Sequence, residues 1–396
     1  MNKAASIDKR RHYSGPTIFE RGYRPFFFFA GLWGIIPLAL WLAVYFGMVS
    51  AGGAINPTYW HVHEMLFGYA GSAIIGFALT AIPNWTGRLP VRGTALFILF
   101  AAWAAARITS AFSLFYPIEF AAMILDGAFF VLFSLIVFRE IMVGENWRNL
   151  PIALMITLIG TMAVLSHINS LYWMMEYTAV HKGGLSLVIL LISLIGGRII
   201  PSFTRNWLSQ RREKTLPAPA SKFDMFSLIL TLVTLITWTF MTGDNIVLFL
   251  LLITTGAVGF IRLFRWVGHK TFAEPLVIIL HVAFAWVPIG FFMLAASCMG
   301  LISESTAVHT WTAGAIAGMT LAVMTRASLG HSGRPLSADK CITTLYIAIT
   351  LAAVMRLVAG IVDASQTYLM IAGGLWIAAF LLFLWRFTPI FFKPRA

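Results

Sequence analysis

Charge is scarce in this chain, and what there is leans one way: 15 acidic against 28 basic side chains in 396 residues. A soluble domain needs a polar shell. Only 11% charged residues, against 59% hydrophobic ones and a mean hydropathy of +0.85, exclude one. Cysteine is nearly missing too. Cys298 and Cys341 are the only two, and they fall at opposite ends of the spans assigned below, so no disulfide is expected between them. The absence of CxxC excludes a thioredoxin-type redox pair, and the absence of CxxCH makes any haem non-covalent. A cleavable leader is not expected either. The first 24 residues are basic and polar, and the apolar run after them, 26–48, is too long for a signal-peptide core and lacks a small-residue cleavage site. The +13 charge does not point to nucleic acid, because most of it lies in short loops, where it orients membrane helices.

What the chain has in abundance is apolar runs of spanning length. Twelve are expected, at 26–48, 59–83, 92–113, 118–139, 150–173, 178–203, 223–241, 246–267, 275–298, 308–327, 341–362 and 366–390. The fold class is therefore all-α: a polytopic membrane protein whose short loops make sequential helices antiparallel neighbours. Every second loop is basic, beginning with Lys3, Lys9, Arg10, Arg11, Arg21 and Arg24 in the N-terminal tail. The loops between carry almost no Lys or Arg, Lys182 excepted. The positive-inside rule then predicts both termini in the cytoplasm. The domain reading is a basic tail (1–25), helices 1–6 (26–203), a cytoplasmic linker (204–222) that contains Arg211-Arg212 and Pro217-Ala218-Pro219, helices 7–12 (223–390), and a short tail (391–396).

Within this frame the histidines sort by depth. Trp60-His61-Val62-His63-Glu64-Met65 opens span 2, where imidazoles and a carboxylate are costly and need a cause. Residues i and i+2 of a helix point about 200° apart, so His61 and His63 are poor joint ligands but suit two neighbouring centres. His61 and Met65, at i and i+4, share a face. His167 lies near the outer end of span 5, and His181 and His309 open spans 6 and 10. Five of nine histidines thus occupy one layer, roughly 6–9 Å below the outer boundary at 1.5 Å per residue. A single intramembrane His is ordinarily a packed, hydrogen-bonded residue. A layer of five points to metal or haem ligation, for which neutral imidazole suits both iron and copper. His63, His181 and His309 are 118 and 128 residues apart and each opens a span that ends in an Arg-containing segment. That period suggests three pseudo-repeated sets of four helices.

Other intramembrane polar residues have plainer readings beside the sharper ones. Arg107 and Asp126 sit at similar depth in one hairpin and form an expected ion pair. Arg107 and Arg356 equally suit haem propionates through bidentate bonds. Met65, Met174, Met175 and Cys298 lie near the outer layer and are soft donors suited to Cu(I), although packing is the commoner role of Met. His281, early in span 9, and His331, in the loop expected after span 10, lie toward the cytoplasm as a weaker second site, with ordinary hydrogen bonding as the plainer reading.

Several stretches together resemble the bacterial NnrS family. They are Trp60-His61-Val62-His63-Glu64-Met65-Leu66-Phe67-Gly68, the segment from Gly76-Phe77 to Pro83-Asn84-Trp85-Thr86-Gly87-Arg88, Gly196-Gly197-Arg198-Ile199-Ile200-Pro201, the run from Leu280-His281 to Gly290-Phe291, and that from His309-Thr310-Trp311 to Gly330-His331. The likeness runs from about residue 20 to 390. It implies a twelve-helix inner-membrane protein containing haem b and copper, linked to denitrification and to nitric oxide tolerance, with nitric oxide as the small-molecule ligand. A fainter likeness is to subunit I of haem–copper oxidases and nitric oxide reductases, with metal-binding His on spans 2, 6 and 10. The chain departs from that pattern in having no His pair on span 7 and a single outer His on span 10. By that analogy haem falls to His63 and His309, and copper to His61, His167 and His181 with Met65, although His61 and His63 can exchange roles. Alternatives are a secondary transporter with an outer His site and a true nitric oxide reductase, whose electron donor the sequence does not name.

Overall fold

The computed structural model describes residues 13–53, 55–173, 179–241, 245–362 and 365–395, the side chain of Trp173 excepted. Met174 and Met175, expected as soft donors, and Lys3, Lys9, Arg10 and Arg11 of the basic tail lie outside the described residues. Among the described residues there are helices and no strands, and twelve helices are long and apolar enough to cross a membrane. A backbone in lipid must satisfy its own hydrogen bonds, and uninterrupted apolar runs do that as helices. The twelve are α1 (Tyr23–Tyr45), α2 (Pro57–Thr86), α3 (Thr94–Ser113), α4 (Glu119–Val143), α5 (Trp147–Tyr172), α6 (Ala179–Gln210), α7 (Lys222–Phe240), α8 (Ile246–Lys270), α9 (Pro275–Cys298), α10 (Glu304–His331), α11 (Lys340–Val358) and α12 (Ser365–Phe392).

Sequential helices pack as neighbours from α3 through to α12, and α12 returns against α1 to close the bundle. Burial separates a centre from a periphery. In α10 and α2, 78% and 72% of the apolar stretch is buried, against 33% in α1, α3, α4 and α8. The outward residues of the peripheral helices, such as Phe97, Ile108, Ile124 and Val131, are hydrocarbon and exposed, as a lipid-facing surface requires.

Three departures from the expected boundaries have local causes. α1 is interrupted at Gly34 and Ile35, because Pro37 in the next turn has no N–H to give and its ring crowds the carbonyl four residues back. α6 runs on to Gln210, well into the segment expected as a linker, so the chain turns only after Arg211. α10 also continues past its expected end, and this corrects the placement of His331: it is the last helical residue, not a loop residue. The helix stops there because Gly333 adopts a left-handed φ of 80° and Pro335 follows, a pairing that ends helices.

Candidate functional site

The site begins at the N-terminus of α2. Asn56 caps it by accepting the Thr58 backbone N–H at 2.8 Å, and Pro57 takes the first turn, where its missing N–H costs nothing. One turn later His61 and His63 leave the helix on opposite sides, as the i, i+2 spacing requires. The helix then widens into a π-helical segment, Glu64–Ala70. The same happens after His309, at Thr310–Ile316, and just after His167, at Asn169–Trp173. π-Turns are rare and concentrate at functional sites. Each of these re-aims the helix next to a site histidine.

On the His61 side is a cavity of about 470 Å³, lined by His61, Met65, Tyr69, His181, His309 and Arg356 among others. Its size is that of a ligand pocket. The His61 ring stacks on Trp41, with centroids 4.9 Å apart and planes at 19°, and its buried Nδ1 has no partner. His309 reaches the cavity from α10. Its Nδ1 is 2.6 Å from the Ser305 carbonyl one turn back. A carbonyl can only accept, so the proton sits on Nδ1 and the lone pair on Nε2, the arrangement of a ligating imidazole held by its other nitrogen. Arg356 Nη2 is 3.1 Å from the same Nδ1. It cannot donate to a protonated nitrogen, so the guanidinium flanks the cavity as a half-buried cation with no carboxylate against it among the described residues. His181 lines the cavity from α6, with Nε2 3.0 Å from Ser166 Oγ and its ring 5.5 Å from that of Tyr59.

On the His63 side there is no comparable space, only charge. His63 Nε2 lies 2.8 Å from Asp126 Oδ2, and His167 Nε2 lies 3.2 Å from the same oxygen. His167 Nδ1 is 2.5 Å from Glu119 Oε1. Arg107 donates to Asp126 Oδ1 through Nη2, the ion pair expected from the hairpin, and to Glu64 Oε1 through Nη1 at 2.7 Å. Ser110 Oγ and Trp33 Nε1 complete the Glu64 carboxylate at 2.6 and 2.5 Å. All six ionisable groups are at most 2% exposed. Gly68 lets them close up, since a Cβ there would stand 2.8 Å from Arg107 Nη1, Glu64 Oε2 and Trp33 Nε1.

The charge count constrains what this cluster does. Three carboxylates face one guanidinium, and burial makes an uncompensated charge expensive. Balance comes from two protonated imidazoles, from a carboxyl that takes up a proton, or from one divalent cation between imidazoles that stay neutral. One ligand atom from each of His63, Asp126 and His167 lies within 4.8 Å of the others, close enough for one ion. His63 Nδ1 and Glu119 Oε2 are buried without a hydrogen-bond partner.

The structure therefore divides the outer histidines differently from the oxidase analogy. It does not bring His63 and His309 together: His61 and His309 share the cavity, while His63 joins His167. Arg107 is paired with two carboxylates and does not line the cavity, whereas Arg356 does. Met65 and His181 line the cavity and Cys298 does not. His281 and His331 form no common ligand set among the described residues. His281 Nε2 is 2.8 Å from Thr204 Oγ1, and His331 sits 5.9 Å from the Tyr23 ring. Sequence reasoning missed Glu119 altogether and did not read Asp126 as a candidate ligand. The available signal was their spacing, since seven residues put two acids on one face of α4.

No curated protein matches the chain. The description "NnrS protein" matches it as a family over residues 17–395. That span takes in both sides of α2, the cavity and the charged cluster alike, and the chain belongs to the NnrS family.

Proposed function

We propose that this protein binds haem b and copper in the bacterial inner membrane, with both termini cytoplasmic, and acts in the response to nitric oxide by sensing, sequestering or detoxifying it. The observation that carries this reading is the pair His61 and His309, two imidazoles from separate helices facing one cavity beside Arg356, which has no carboxylate against it among the described residues. Those residues fit a haem: the imidazoles would hold it, and the guanidinium would donate charge-assisted hydrogen bonds to a propionate. His63, His167 and Asp126 fit the second metal, with Glu119 holding His167 by Nδ1 and Arg107 holding Asp126 by its other oxygen. When bound, haem iron supplies the affinity for nitric oxide that no side chain has. Trp41 keeps the His61 ring in one plane, the Ser305 carbonyl keeps Nε2 of His309 unprotonated, and Arg107 holds the Glu64 and Asp126 carboxyl groups in place.

The donor set of two imidazoles and one carboxylate also favours a second reading for that metal, non-haem iron, because this is the set that iron(II) takes with open positions. The test is a reduced-minus-oxidised spectrum with metal analysis on detergent-purified protein. A b-type spectrum with copper is expected. His61→Ala or His309→Ala should lose or convert the haem signal, while His63→Ala or His167→Ala should lower the metal and leave that signal. Iron in excess of haem, without copper, selects the second reading. Folded protein free of both cofactors overturns the proposal in favour of a transporter.

A further inference from the structure

Adjoining the His61–His309 cavity lies a smaller, half-open one of about 70 Å³, lined only by α2, α6 and α10, the three helices of the histidine period. Ala70, Ala73, Val188, Leu191, Ile316 and Met319 are typical of its wall. Ile316 belongs to both cavities. Between them the Tyr69 hydroxyl, on the wall of the larger cavity, is hydrogen-bonded to Thr320 Oγ1, on the wall of the smaller.

The chemistry of this wall selects its occupant. Thr320 supplies the one side-chain polar atom, and that hydroxyl already donates to the Ala317 carbonyl at 3.0 Å besides meeting Tyr69. A buried water needs two to four partners, and this wall does not provide them. An ion is excluded more strongly for the same reason. The volume is about twice the roughly 30 Å³ a water takes in the liquid and several-fold below the roughly 300–1,000 Å³ of pockets for larger ligands, a size that suits a molecule of two or three atoms. Apolar cavities of this kind bind neutral, polarisable guests such as xenon.

We propose that this cavity is a binding site for a small uncharged diatomic gas, held in the centre of the membrane bundle next to the histidine-lined cavity. A gas of this class partitions into lipid, and the site sits where three helices would pass it toward His61 and His309. That the gas is nitric oxide rests on the function proposed above; the existence of an apolar gas site does not.

The probe is xenon. Crystals of the full chain under xenon pressure should show an anomalous peak between Ala73, Val188 and Met319. Ala73→Phe, which fills the space, should lose the peak. Val188→Ala, which enlarges it, should keep or strengthen it, so the site remains testable if the filled variant does not fold. Xenon bound elsewhere but not here, an ordered water in its place, or a peak that survives Ala73→Phe overturns the proposal. Cofactor-free protein that binds xenon here upholds it while removing the haem reading. Haem-containing protein with no xenon here does the reverse.

Discussion

Two sides of one helical turn have been built to opposite specifications. On the His61 side there is room, a ring stacked on an indole, and a guanidinium with no acid against it among the described residues. On the His63 side every polar atom but a few is taken, each ionisable group is buried, and a network of five helices converges on one carboxylate pair. A helix separates residues i and i+2 by about 200°, so a single valine, Val62, divides the two environments. The lesson is that proximity in sequence says little about shared chemistry inside a bundle. A site needing space and one needing dense charge compensation can be neighbours only because the helix backbone lies between them.

The contrast predicts very different tolerance to losing an arginine. Arg107→Leu removes the one guanidinium between Glu64 and Asp126 and leaves two buried carboxylates short of compensation. Breaking a buried pair in this way costs about 3–5 kcal/mol, so the variant should be recovered poorly and unfold at much lower temperature in detergent. Arg356→Leu, on the roomy side, removes a charge with no carboxylate against it among the described residues and should change stability by no more than about 1 kcal/mol. Equal losses in the two variants would break the comparison. It would mean that Arg356 is as deeply engaged as Arg107.

A smaller effect separates the two sides by cofactor instead of stability. Glu119 touches no proposed ligand position itself. It holds His167 by Nδ1, at 2.5 Å, and so fixes which way Nε2 points. Such outer partners are worth about 10–100-fold in metal affinity. Glu119→Gln keeps the shape but donates or accepts differently, so the metal retained after dialysis against a chelator should fall by about that factor. The haem spectrum should not move. A change in both signals would show that the two sides are one coupled centre.

The bundle was largely legible in the sequence, because a chain in lipid has one economical way to satisfy its backbone and announces it as apolar runs. The ends were less so. His331 and the start of the 204–222 segment were misplaced because a helix in a bundle continues until its geometry is stopped, as by Gly333, rather than until hydropathy falls. The outer histidines were visible as a layer, and the i, i+2 argument foresaw that His61 and His63 face different surroundings. Depth alone, however, gives no rotation about each helix axis, so it left open which of His61 and His63 faces His309. The acids were hardest to place. Glu119 sits at a span boundary, where an exposed carboxylate is ordinary, and only the fold shows it turned inward and 2% exposed.

The last difference between the sides is mechanical. His63 and His167 are fixed by carboxylates and by each other, with ring centroids 4.1 Å apart, so no one neighbour decides their orientation. His61 has no such bonds at Nδ1, and its plane rests on Trp41. A ring pair of this kind contributes about 0.5–1.5 kcal/mol beyond its buried area. Trp41→Leu keeps much of the apolar area and removes the flat surface. The protein should therefore stay folded while the His61 ring gains rotational freedom. The readout is the haem absorption of the purified protein: a broadened or shifted signal with metal content unchanged. Because Trp41 lies on α1 and outside the charged cluster, loss of the second metal in this variant would count against two separately built sides. A sharp, unshifted haem signal would show that something other than the indole sets the His61 plane.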